Sequence, residues 1–142
     1  MAAVKPALII TFPKRAEPSV HSEPAALLFQ VRQLMARGGW AEAAGRLQRL
    51  AQTETVRIEA LNLLGITYLA LKEYQSAQKT FETVLSLRPR NVCALVYRGE
   101  LAAHAGEHRQ ARSDWRRAIT VGHPDEALIR RAWKLLAVQR SA

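Results

Sequence analysis

The sequence predicts an all-α protein made of stacked helical hairpins, and three observations predict it. Apolar residues recur at spacings of three and four along most of the chain, as helices with one buried face require. Small residues return at a fixed interval: Gly65 as Gly99, and Ala43 as Ala77 and Ala111, each 34 residues on. Aromatic residues keep that interval too, Phe81 being followed by Trp115 and Trp40 by Tyr74, while Leu27, Leu61 and Leu95 fall on the same comb. A fixed period of this length marks an array of identical supersecondary units.

The elements follow in order. Residues 1–23 contain KPALIITFP, a β-prone run between prolines that no helix accommodates, and they are expected to form a flexible tail. The apolar patch is shorter than a secretory core and lacks a clean small-residue cleavage site, so the tail reads as retained. Seven helices are then expected near residues 25–37, 41–52, 57–71, 75–87, 92–105, 109–121 and 125–139. The third carries Leu61, Leu64, Tyr68 and Leu71 on one stripe; the fourth carries Ala77, Phe81, Val84 and Leu85. Pro89 stops the fourth helix because proline cannot extend the hydrogen-bond ladder. Gly38-Gly39 and Gly106 mark turns between paired helices. In the last helix Leu128, Ala132, Leu135 and Leu136 share a stripe that covers the open apolar side of the array. Asp125 and Glu126 suit its first turn, where the helix dipole is positive. Trp115 is expected in the core and Trp133 in the packing of this cap.

At 142 residues the chain has room for one core. An apolar share of 49% with 23% charged residues is that of a soluble globular protein. The single cysteine, Cys93, excludes an internal disulfide framework and points to a reducing, cytoplasmic setting. No apolar run is long enough to span a membrane. The net charge of +9 favours acidic partners, yet acids are interspersed throughout and no solid basic block exists.

A 34-residue hairpin with this spacing resembles the tetratricopeptide repeat. Its signature, W-x2-L-G-x2-Y…A-x3-F…P, is met by Leu61, Leu64, Gly65, Tyr68, Ala77, Phe81 and Pro89, with leucine replacing the first aromatic. A third copy keeps Leu95, Gly99, Ala111 and Trp115 but has Arg98 and Ala102 where Leu and Tyr are expected, and Pro124 one residue out of place. The first copy is degenerate, with Val31 in the glycine place and Leu34 in the tyrosine place. The repeats thus run 24–57, 58–91 and 92–124, before a capping helix in 125–142. The resemblance implies a right-handed superhelix whose first helices line a concave groove. Its layout implies that Leu28, Arg32, Met35, Asn62, Ile66, Leu69, Cys93, Val96, Glu100 and Ala103 face that groove. Relatives that clamp an acidic C-terminus place Lys and Arg where this chain has Cys93 and Tyr97, so only Asn62 fits such a clamp.

No catalytic motif is present. The chain lacks a glycine-rich phosphate loop, HExxH and paired cysteines, and the Gly106 turn separates His104 from His108. No enzyme, cofactor or metal is expected. The resemblance implies a protein-interaction adaptor or chaperone that binds a hydrophobic peptide in its groove. Chaperones of bacterial type III secretion use three such repeats, and the Ala- and Arg-rich composition suits a bacterial source. A competing reading places nucleic acid or an anionic surface on a convex basic face of Arg109, Arg112, Arg116, Arg130, Arg131 and Lys134, though Glu107 and Asp114 interrupt it and stacking aromatics are not evident. Leu27, Phe29 and Val31 at the weak first repeat offer an apolar edge for self-association. The small residue at each crossing has the clearest physical consequence. Gly65→Leu should overpack its hairpin and cost about 1–3 kcal/mol, read as a lower thermal midpoint.

Overall fold

A computed structural model describes residues 22–122 and 126–141. Among them are seven helices: α1 (Ser22–Ala36), α2 (Trp40–Leu50), α3 (Arg57–Ala70), α4 (Tyr74–Leu87), α5 (Val92–His104), α6 (His108–Val121) and α7 (Glu126–Ser141), with a 3-10 turn at Glu54–Val56. Each helix packs on the next, and α5 also meets α3 and α7. The expected elements are all present, α1 starting three residues early, at Ser22, within what was assigned to the tail. The rest of the tail, with its KPALIITFP run, and Pro124 lie outside the described residues.

The second and third hairpins close tightly because one side of the crossing has no side chain. A Cβ on Gly65 would sit 2.5 Å from the Phe81 ring, and one on Gly99 would collide with the Trp115 indole. Both rings are fully buried, and the Trp115 Nε1 donates to the Val96 carbonyl at 3.1 Å. The first repeat meets the same constraint differently. Leu47 replaces the ring, which leaves room for Val31 in the glycine place, and both are buried. Val31 is therefore core, not part of an uncovered edge, whereas Leu27 and Phe29 are exposed.

The turn inside each hairpin also repeats. Gly38, Lys72 and Gly106, 34 residues apart, have φ of 84°, 62° and 85°. The residue after each donates its N–H five residues back, Gly39 to Leu34 O, Glu73 to Tyr68 O and Glu107 to Ala102 O, at 3.0, 2.8 and 2.7 Å. This closes the helix end with a left-handed residue, a place that glycine fills without strain. Lys72 is the one non-glycine residue with positive φ among the described residues.

Arg98, where the repeat pattern expects leucine, is explained by Asp114. The guanidinium donates to both carboxylate oxygens, Nε to Oδ2 at 2.9 Å and Nη2 to Oδ1 at 2.7 Å, and Gln110 Nε2 adds a bond at 3.0 Å. Asp114 is wholly buried, so it lies beneath the α6 surface and does not interrupt its charge.

Two hydrophobic clusters result. One gathers α1, α2 and the start of α3 around Leu28, Val31 and Leu47; the other joins α4 to α7 around Phe81, Leu95 and Trp115. Leu61, Ile66 and Tyr68 pack against both.

Two outcomes are expected. Lys72→Gly should raise stability by about 0.5–1 kcal/mol, since relief of the left-handed penalty exceeds the entropy of the added glycine; a denaturant midpoint measures it. Asp114→Ala should cost about 2–4 kcal/mol by stranding Arg98, and pairing it with Arg98→Leu should recover most of the loss in the same assay.

Candidate binding groove

The concave side of the stack holds a groove of about 1050 Å³ between α3, α5, the 3-10 turn and the segment 88–91. Ile58, Leu63, Ile66, Tyr97 and Leu128 give it apolar walls. Two further hollows adjoin it at Tyr97: one with Ile66, Leu69, Glu100 and Arg131, the other with Leu128, Arg130 and Lys134. Tyr97 lines all three. Its ring stacks on Phe81 at 5.6 Å and 10°, and the Arg131 guanidinium lies over it, 5.4 Å from the ring centre.

Of the residues expected here, Arg32, Asn62, Ile66 and Cys93 line the main groove, and Leu69 and Glu100 line the adjoining hollow. Ala103 is half-buried against the second cluster. Leu28, Met35 and Val96 do not face a groove. Leu28 and Met35 share the i, i+3, i+7 stripe of Val31 and are buried with it in the first cluster. Val96 is fully buried on α5, which α6 and α7 both cover. The open face is centred on the expected Ile66 and Glu100 together with Leu63 and Tyr97, which were not expected there. Each of these pairs is spaced by 34 residues, so the period that marks the repeat also marked the groove. Phe29 falls on the Leu63–Tyr97 comb and is 59% exposed.

Polar contacts hold the walls in place. Asn91 caps α5, its Oδ1 accepting from Ala94 N at 2.9 Å, and the same oxygen accepts from Asn62 Nδ2 at 3.2 Å. That leaves the Asn62 Oδ1 buried with no hydrogen-bond partner among the described residues. Arg32 of α1 pairs with Glu59 of α3. Arg131 of α7 grips Glu100 of α5 with two bonds, 2.7 and 2.6 Å, and this hydrogen bonding raises its pKa further, so the charge is permanent. Both pairs are partly exposed and contribute little stability, but they neutralise Arg32 and Arg131.

The six basic residues do not form one convex surface. Arg130, Arg131 and Lys134 surround the hollow beside Tyr97, on the groove side. Arg112 and Arg116 instead flank Trp133 and Arg140 at the end of the stack, and Arg109 is exposed on α6. Trp133 is not cap packing, since 57% of it is exposed. Among the described residues no group of His, Cys, Asp and Glu could hold a metal ion, and no helix is long and apolar enough to cross a membrane.

Residues 58–91 match the tetratricopeptide repeat family profile. That segment is a tetratricopeptide repeat, and the helices around it continue the same hairpin fold. Solved structures share its fold over most of its length. PcrH from Pseudomonas aeruginosa superposes with a TM-score of 0.76 at 19% identity, covering 84% of this chain and 92% of that one. PcrH in complex with the chaperone binding region of PopD gives 0.75 at 18%, covering 89% and 97%. The Yersinia enterocolitica type III secretion chaperone SycD, in complex with a peptide of the translocator YopD, gives 0.74 at 16%, covering 87% and 96%. At these identities the likeness establishes the right-handed repeat fold. No curated protein shows significant sequence similarity to the chain.

Proposed function

We propose that this protein is a non-catalytic chaperone or adaptor that holds an extended, apolar segment of a partner protein in its concave groove. The observation that carries the reading is the apolar wall around Tyr97, open to solvent and continuous across α3, α5 and α7. Apolar side chains left open along a groove invite apolar anchors, and burying such anchors drives association. Glu59 and Glu100 neutralise Arg32 and Arg131, which keeps those two charges from opposing an apolar guest, while Arg88 and Arg90 leave some positive charge in the lining.

Within this class we favour a cytoplasmic chaperone of a bacterial secretion substrate, of the translocator kind. Support comes from SycD, solved with a peptide of the translocator YopD, and PcrH, solved with the chaperone binding region of PopD, both of which share the fold over most of this chain. Such a chaperone keeps an aggregation-prone segment covered until export, a task for which an apolar groove suffices without catalytic groups.

Ile66→Glu tests the reading directly, because a carboxylate placed in this wall must be desolvated by any apolar guest. On an array of extended peptides with spaced apolar residues, the YopD segment among them, the wild type should retain a subset. The variant should lose that subset by about tenfold or more in affinity. Equal retention by both proteins would move the binding face away from the groove.

A further inference from the structure

The stack ends at α7, and a second surface lies there, on the side away from the groove. Arg112 and Arg116, one turn apart on α6, and Arg140 on α7 surround Trp133, Leu136 and Ala137. Together they enclose a hollow of about 70 Å³. Trp133, in its wall, is 57% exposed. None of the three arginines has a carboxylate partner among the described residues, unlike Arg32, Arg46, Arg98 and Arg131. Asp114, which separates Arg112 from Arg116 in the sequence, is buried against Arg98 and leaves their field intact.

We propose that this corner docks an acidic amphipathic helix of a partner protein, which adds itself to the open end of the stack. Three observations converge on that occupant. The guanidiniums call for carboxylates, which they bind with directed, charge-assisted bonds. The exposed Trp133 ring, next to Leu136 and Ala137, calls for apolar surface next to those carboxylates, as an amphipathic helix presents it. The hollow is about half the roughly 150 Å³ that accepts a benzene ring, so it takes an aliphatic side chain better than a nucleobase. The end of a solenoid is also where one more helix would stack by the same packing that built the array.

The test uses the full chain and a fluorescein-labelled amphipathic helical peptide with a leucine stripe flanked by glutamates, followed by anisotropy. Binding is expected, weakening as salt rises, with a blue shift of tryptophan emission as Trp133 leaves water. Arg112→Gln with Arg116→Gln should reduce affinity about tenfold or more. Because Arg112 is half-buried, Arg116→Gln with Arg140→Gln, both at exposed positions, serves as the second variant, and its melting curve should match wild type. Ile66→Glu, in the groove, should leave this binding unchanged, which separates the surface from the peptide groove. The proposal fails if wild type does not bind the peptide, if both arginine variants bind as wild type does, or if a lysine-for-glutamate peptide binds equally well. It also fails if a single-stranded oligonucleotide binds more tightly and loses affinity in the same variants, since the corner would then belong to nucleic acid.

Discussion

Everything in this molecule depends on how closely two helices of one hairpin approach. The contact is a ring against bare backbone: Phe81 over Gly65 and Trp115 over Gly99. An aromatic side chain brings a large apolar area into the crossing, and it fits only because the facing helix offers no Cβ. The pair acts as a unit. Where the ring becomes Leu47, the facing residue becomes Val31, and both remain buried. Side-chain volume is therefore balanced across the crossing in all three repeats, although the residues differ. With the hairpins held at one spacing, their first helices line up side by side, and the concave wall is the outcome.

Charge is arranged as economically as volume. Along the groove Arg32 and Arg131 are tied to Glu59 and Glu100, and the interior ties Arg98 to Asp114. The excess positive charge is thereby left to Arg88, Arg90 and Lys134 along the groove and to the arginines of α6 and the end of the stack. Formal charge read from composition would have spread it evenly. Only the direction in which Asp114 points reveals that α6 has an uninterrupted basic side.

The helices, their period and the small residues at the crossings were legible in the sequence because each is a local or strictly periodic property. The face on which the groove opens was legible only in part: Arg32, Asn62, Ile66, Leu69, Cys93 and Glu100 lie along it, and Leu28, Met35 and Val96 do not. Apolar spacing gives the phase of residues around one helix, but a repeat's first helix is apolar on more than one side, since it packs on its own partner and on its neighbours. Leu28, Met35 and Val96 belong to the packed sides and Leu63 and Tyr97 to the open one, and hydrophobicity alone does not separate them. The comb of Leu63 and Tyr97 was available, yet leucine and tyrosine share no motif that flags them as equivalent. Leu128, which completes the wall, comes from α7, so its role depends on how the last helix docks. The Arg98–Asp114 pair was hidden for a similar reason: at 16 residues' separation it follows neither helical nor repeat spacing.

Ile66 occupies an unusual station. It helps join the two halves of the interior, along with Leu61 and Tyr68, and it also looks out onto the concavity. A guest resting there would press on the suture between an amino-terminal and a carboxy-terminal block. In a linear array whose blocks are stabilised by their neighbours, fastening one such junction makes distant ends harder to peel apart. Occupancy and mechanical integrity would then rise and fall as one property, and an empty protein would be the easier one to unravel.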